Sequence, residues 1–267
     1  MENSRYQTIL CVIEDSVAYI TFNRPDVHNA FNDVMIRELI DIFDRLESHS
    51  DVRVVVLTGK GKSFCAGADL NWMRRVKDYS YDDNLHESLE LSDMLYGIYS
   101  SSKPTVARVN GAAIGGGTGL VAVCDIAIAA STAKFSFSEV KIGLIPACIS
   151  PYVVKKCGEG RCREFFLTGE RMTADRALDA GLVNKVVAVE ELDQAVAEQV
   201  KQLLSSGPEA IARCKELLRN VPLMTYDEVK KYTAEVIARI RISEEGQEGM
   251  AAFLEKRKPK WFNDSGG

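Results

Sequence analysis

Residues that hold metals are scarce in this sequence. It has three histidines, at 28, 49 and 86, and none of its seven cysteines (11, 65, 124, 148, 157, 162 and 214) forms a C-x-x-C pair. No structural zinc centre, and no metal site of any kind, is expected from that spacing. Scattered cysteines in odd number point to reduced thiols and a cytoplasmic setting. Two of them, Cys65 and Cys148, are expected to fill core. No apolar run approaches the ~18 residues of a membrane span. The opening MENSRYQTIL lacks the positive charge and apolar stretch of a targeting segment. Positive charge is not in excess either: 33 Lys and Arg against 38 Asp and Glu leave a net charge of −5. A nucleic-acid partner is therefore not expected. No G-x-x-x-x-G-K-[ST] occurs, and Gly115-x-Gly117-x-Gly119 lacks the G-x-G-x-x-G spacing, so nucleotide phosphate is not the indicated ligand. Repeats, low-complexity tracts and Ser/Pro-rich linkers are absent as well.

What is there is an ordinary globular pattern: 267 residues, 46% hydrophobic, enough for one or two domains with a substantial core. Thr8 to Ile13 and Val17 to Phe22 read as a hairpin about Glu14-Asp15-Ser16. Asn32 is placed to cap a helix running to about His49, with Met35, Leu39, Ile42 and Leu46 as its buried stripe. Arg53 to Leu57 reads as a strand covered on both faces. Residues 74 to 84 read as an exposed segment, and His86 to Tyr99 as a helix. Further strands are expected at Thr105 to Val109, Ile126 to Ala130, Lys134 to Phe137 and Leu182 to Val187. Ser150 reads as the cap of a helix with Pro151 at its first position, and Thr173 as the cap of another that Gly181 stops. From Val189 onward only helical spacing remains. The class is α/β with an all-helical C-terminal part.

Two loop-to-helix junctions stand out. Residues 59–67, GKGKSFCAG, lead into Ala68-Asp69-Leu70, and Asn110-Gly111 leads through Gly115-Gly116-Gly117 into an apolar run. Glycines let a ligand approach the backbone, and unpaired N–H groups at a helix start favour negative charge. Two such junctions can donate two N–H groups to one oxygen as a carbonyl becomes an enolate. Tight helix–strand packing explains the glycines equally well. Glu139, between a short alternating strand and an apolar turn, is a candidate acid/base with a raised pKa. On spacing alone, a solvated Glu139, or one paired with Lys141 or Arg108, is the plainer reading.

Several stretches together resemble the crotonase (enoyl-CoA hydratase/isomerase) superfamily. They are Asn23-Arg24-Pro25 with Asn29-Ala30-Phe31, Ser63-Phe64-Cys65-Ala66-Gly67-Ala68-Asp69-Leu70, and Asn110-Gly111 with Gly115-Gly116-Gly117. Cys124-Asp125-Ile126, Phe137-Ser138-Glu139 with Gly143-Leu144-Ile145-Pro146, and the tail from Phe253 to Pro259 complete the set. The likeness runs in order from about Thr8 to Phe262. It implies a crotonase-like ββα superhelical core over residues 1–188 and a C-terminal helical trimerisation region over 189–267, assembling as a homotrimer or homohexamer. It also implies hydration of a 2-enoyl-CoA without a separate cofactor, coenzyme A being part of the substrate. The family's two oxyanion donors fall on the N–H groups of Ala68 and Gly116, and its catalytic glutamate on Glu139. Contacts to the acyl-CoA fall on His28, Ala66, Asp69, Leu70, Gly115, Phe253 and Lys256. Hydratases often carry a second glutamate where this chain has Gly119. That departure keeps a Δ3,Δ2-enoyl-CoA isomerase using Glu139 alone as the alternative, with a non-catalytic acyl-CoA-binding relative as a third reading. Residues 67–73, 117–121 and 144–154 are similar to bacterial methylglutaconyl-CoA hydratases and to hydratases of isoprenoid degradation, which implies a branched acyl chain. Arg74 and Arg75 could meet its distal carboxylate, although exposed helix charge is the plainer reading. Trp72 and Met73 either line the acyl pocket or pack beneath it.

Overall fold

The computed structural model describes residues 5–262. β1 (Ile9–Glu14) and β2 (Val17–Phe22) form the expected hairpin, and Asp15 and Ser16 between them both take positive φ, 48° and 65°. Two such residues match the right-handed twist of the flanking strands. Asn32 caps α1 (Asp33–Glu47), its side-chain oxygen accepting from Met35 N at 3.0 Å. β3 (Val54–Gly59) and β4 (Ser63–Cys65) follow, then α2 (Leu70–Val76) and α3 (Tyr81–Ser100). The stretch 74–84 is exposed as read, and it is also mostly helical. α3 starts five residues before His86 because Ser80 and Asp83 form a reciprocal cap, which supplies the start that the polar first turn conceals.

β5 (Thr105–Val109), β6 (Ala112–Ile114), α4 (Gly116–Val123), β7 (Ile126–Ala130) and β8 (Lys134–Ser136) come next. After them stand α5 (Ser150–Cys157), α6 (Glu159–Thr168), β9 (Arg171–Thr173), α7 (Ala174–Asp179) and β10 (Lys185–Val187). Ser150 is the first residue of α5 and not its cap; that place falls to Ile149. Thr173 does cap α7, accepting from Arg176 N at 3.2 Å. The last strand is shorter than the run from Leu182. Gly181 turns with φ 78°, and Leu182 N–H still donates to Ala177 O at 2.9 Å, closing the helix before it.

The described residues make two sheets. The large one has the order β1-β2-β3-β5-β7-β10, parallel from β2 onward. Its central strand β3 alternates between two cores. Val55 and Leu57 join Met35, Leu39, Ile42 and Leu95 on one face, while Val54 and Val56 meet Leu192, Ala195, Val196 and Val200 on the other. Burial of both faces is why the strand reads as continuously apolar. The small sheet has the order β4-β6-β8-β9, with β4, β6 and β8 parallel and β9 antiparallel. The sequence pattern shows only β8 of these, through the alternation of Phe135 and Phe137; the other three carry no such alternation.

The helical part comprises α8 (Leu192–Ser205), α9 (Pro208–Asn220), α10 (Tyr226–Ile242) and α11 (Glu244–Leu254). α8, the first helix past residue 188, covers the outer face of the large sheet, so the helical region is joined to the core by that helix. Lys215 of α9 is buried and adds a second tie, donating to Asp125 Oδ2 at 2.5 Å and to Lys103 O at 2.9 Å. Asp125 in turn accepts from Thr105 N and Oγ1 at 2.7 and 2.9 Å. Among the described residues no helix is long and apolar enough to cross a membrane.

Candidate active site at three strand ends

β4, β6 and β8 run side by side in the same direction, with Cys65 opposite Ala113 and Ile114 opposite Ser136. Neighbouring strands stand about 4.8 Å apart. The segments just past their carboxyl ends therefore converge: Ala68 comes after β4, Gly116 after β6 and Glu139 after β8. Strand carboxyl ends are where α/β sheets place their ligands.

Ala68 is held by a bridge to Phe31. Phe31 N donates to Gly67 O at 2.8 Å, and Asp69 N donates to Phe31 O at 2.9 Å. Both bonds skip Ala68's own N–H, which finds no acceptor among the described residues. Gly67, at φ 90°, turns the chain here; a Cβ on it would stand 2.7 Å from Ile114 O and 3.9 Å from Gly116 N. The two junctions are that close.

Gly115 donates its N–H to Ser136 O at 2.7 Å and turns at φ 54° into α4. As the first residue of the helix, Gly116 has no partner for its N–H within it, and it finds no other acceptor among the described residues. The buried Thr118 pins this turn, its hydroxyl donating within 2.6 Å of Ala113 O and 3.0 Å of Ser136 O. A Cβ on Gly116 would press on the Phe31 ring at 2.6 Å. Thus Phe31 touches both junctions, through its backbone at Ala68 and its ring at Gly116.

Glu139 stands in a 3-10 helix, Ser138–Ile142, and Leu144 N folds back onto its carbonyl at 3.0 Å. Its Oε1 lies 3.1 Å from where a Cβ on Gly115 would be, which fixes the carboxyl beside the second junction. Oε2 is buried without a hydrogen-bond partner among the described residues. Burial pushes the Glu139 pKa up from its ordinary value, against a small opposing backbone hydrogen bond. The plainer sequence reading is therefore corrected. Arg108 pairs with Asp193 at 2.6 Å instead, and no ion pair to Glu139 forms among the described residues. A half-buried carboxyl with an unsatisfied oxygen suits proton transfer.

The remaining sequence candidates divide. His28 is exposed at φ 53°, its Nδ1 is 3.1 Å from Ser63 Oγ, and its carbonyl accepts from Ala66 N at 3.0 Å. The Asp69 carboxylate is already engaged. It caps α2 through Asn71 N and Trp72 N at 2.7 and 3.2 Å, and pairs with Arg24 at 2.7 Å. Though burial opposes them, these partners hold its pKa below the usual carboxylate range. Its backbone is engaged too, the N–H donating to Phe31 O and the carbonyl accepting from Met73 N, both at 2.9 Å, so Asp69 holds the junction in place. Leu70 is 70% exposed. Phe253 is 82% exposed on α11, which packs against α9 and α10, and Lys256 follows at φ 56°. Arg75 is taken up by Asp33 at 2.8 Å and Arg74 by Asn71 at 2.8 Å. Trp72 packs beneath, its ring 5.8 Å from Phe31 and its indole N–H donating to Glu87 at 2.9 Å. Cys65 is fully buried, while Cys148 is half-buried with its sulfur 3.6 Å from Ser88 O.

Spacing did not single out Phe31, Thr118 or Asn29. The Asn29 carboxamide, fully buried, bonds Lys60 O and Ser63 O at 2.9 and 2.8 Å and accepts from Arg24 N at 3.0 Å. The available signal was Thr118 between two glycines and Asn29 within the Asn29-Ala30-Phe31 stretch. Among the described residues, no three His, Cys, Asp or Glu side chains gather as a metal site requires.

Comparison with known proteins shows the family. Residues 12–264 match the family model described as enoyl-CoA hydratase/isomerase. A Thermus thermophilus relative is 37% identical over 92% of this chain and 97% of its own. The short-chain-enoyl-CoA hydratase of Clostridium acetobutylicum is 32% identical over 94% and 96%. The crystal structure of an enoyl-CoA hydratase from Shewanella pealeana superposes with a TM-score of 0.94 at 40% identity, covering 97% of each chain.

Proposed function

The chain belongs to the enoyl-CoA hydratase/isomerase family, and on that premise we propose that it adds water reversibly across the double bond of a 2-enoyl-CoA. The thioester oxygen accepts from the Ala68 and Gly116 N–H groups. Glu139 takes a proton from water as the water oxygen bonds to C3, and the C2–C3 electron pair moves toward the thioester. The protonated Glu139 then gives that proton to C2. Charge on the thioester oxygen is greatest in the enolate, so the two amides hold that state more strongly than the ground state. Water is the only co-reactant, and no cofactor is consumed. One observation carries the reading: two acceptor-free amides and one partnerless carboxyl oxygen at adjacent strand ends.

The test is loss of the conjugated enoyl absorbance with purified protein and crotonyl-CoA. A second reading has a specific observation behind it. Glycine at 119 supplies no second carboxylate from that position, and one carboxyl suffices to carry a proton from C4 to C2 of a 3-enoyl-CoA. Assaying 3-enoyl-CoA beside 2-enoyl-CoA separates the two. Tight acyl-CoA binding with turnover of neither would mean a non-catalytic relative.

The branched, methylglutaconyl-like chain rests on the resemblance of residues 67–73, 117–121 and 144–154. Comparing 3-methylglutaconyl-CoA with crotonyl-CoA, for wild type and Arg74→Ala, tests it; equal losses on both remove Arg74 from chain recognition. Apolar side chains exposed on the helical part, among them Leu218, Leu223, Ile237, Leu254 and Phe253, support assembly into a homotrimer or homohexamer. Residues of a neighbouring copy would then sit beside Phe253 and Lys256. The cysteine usage supports a cytoplasmic setting.

A further inference from the structure

Gly115 and Gly119 stand one turn apart at the start of α4, Gly119 N–H donating to Gly115 O at 3.2 Å. Different neighbours cover them. The Glu139 carboxyl lies against Gly115, whereas Ile149 closes over Gly119. A Cβ on Gly119 would overlap Ile149 Cγ2, stand 2.8 Å from its Cβ and 3.5 Å from its Cδ1. Ile149 cannot easily give way. It is 3% exposed, it ends the loop that runs from Glu139, and it precedes α5, where Tyr152 N and Val153 N both donate to its carbonyl at 3.2 Å. Being β-branched, it has little rotamer freedom with which to swing aside. A turn of α4 beyond Glu139, about 5.4 Å along the helix, the wall of the site is thus hydrocarbon.

We propose that Ile149 is a positioning residue for the hydration: by filling the space a side chain at 119 would need, it restricts the site to one carboxyl group, so water is both held and deprotonated at Glu139. This rests on the hydration reading above. The pair is complementary. Glycine at 119 admits Ile149, and Ile149 excludes any larger residue at 119. A second carboxylate cannot enter by changing 119 alone. The proton balance is closed by one group, since the proton Glu139 removes from water is the one it delivers to C2.

Five variants and the wild type test this. Gly119→Ala is expected to lower the melting temperature and to reduce kcat/KM by about 10²-fold, the cost of shifting a reacting group by an ångström. Adding Ile149→Gly removes that penalty, bringing the double variant to the melting temperature and rate of Ile149→Gly alone. Adding Ile149→Val does not, because valine keeps both Cβ and Cγ2. Gly119→Glu with Ile149→Gly folds, and its kcat/KM becomes bell-shaped in pH, where Ile149→Gly shows one rising limb. Melting of Gly119→Ala at the wild-type temperature would overturn the proposal. So would equal relief by valine and glycine, a Gly119→Glu/Ile149→Gly chain that fails to fold while Ile149→Gly folds, or an unchanged profile. Wild-type protein inactive on 2-enoyl-CoA would sink the hydration reading separately, with the melting series still judging the packing of the pair.

Discussion

The two sheets differ in the length of their strands. Five strands of the large sheet, β1, β2, β3, β5 and β7, run five or six residues and only its edge strand β10 runs three, while each strand of the small sheet runs three. The large sheet divides the two cores and anchors α8. The small sheet buries less, yet all three reacting groups proposed for the site come directly after its parallel strands. Stability and placement therefore rest on different parts of one chain. The small sheet works through backbone register and close approach, not through the area it buries.

Glu139→Gln should have the largest effect. Removing the proton carrier costs about 10²–10⁴ in kcat, while crotonyl-CoA still binds; full activity in this variant would remove Glu139 from the reaction. The rising limb of kcat/KM against pH should also lie above the ordinary glutamate value of 4.5. Next is Gly117→Ala, which attacks the seam between α4 and β4. A Cβ there would overlap Cys65 O and stand 2.8 Å from its carbonyl carbon. Thermal unfolding should show a loss of about 1–3 kcal/mol together with a loss of rate, because the Ala68 and Gly116 amides are forced apart. A variant as active as wild type would separate that seam from the site.

Asp69→Ala removes a helix cap and takes the carboxylate from Arg24, which keeps only its bond to Ala30 O, for a loss of about 2–4 kcal/mol. Its folded pKa lies below the unfolded value of about 3.9, so the ionised carboxylate stabilises the fold above that pH. The contribution fades as pH falls through the lower, folded value. Melts at pH 7 and pH 3 should show a wild-type advantage that shrinks with acid. Glu139 has the opposite sign. Its folded pKa is raised, so its relative contribution is present below the unfolded pKa and lost as pH rises through the folded one. Glu139→Gln is therefore expected to melt above wild type at pH 7, with that gain absent at pH 3, a stability–activity trade-off. Smallest is Gly97→Ala in α3, where a Cβ meets nothing within 4 Å. It should add up to about 1 kcal/mol and leave the rate unchanged, the contrast to Gly117.

The long elements were legible from local pattern. The Asn32 cap, the α1 stripe and the both-faced burial of β3 each depend on a handful of adjacent residues. β4, β6 and β9 were not, since each is three residues long with no alternation continuing past it of the kind that Phe135 and Phe137 give β8. The two glycine junctions and Glu139 could be named from sequence, but spacing left Glu139 looking solvated. Its burial comes from β8, the returning loop at Leu144 and the approach of Gly115, all contacts across the chain. Phe31 shows the same limit, because its part at both junctions depends on a single bridge between residues 31 and 68. Gly119 reads in sequence as a departure; only the neighbour that covers it, Ile149, explains why nothing larger fits.

The most direct test is vibrational. The thioester carbonyl of crotonyl-CoA, isotope-labelled and bound to the Glu139→Gln protein, should absorb at lower frequency than in water, because two backbone N–H groups polarise it. An unshifted carbonyl in a bound complex would contradict the account, since the oxygen would then lie away from Ala68 and Gly116.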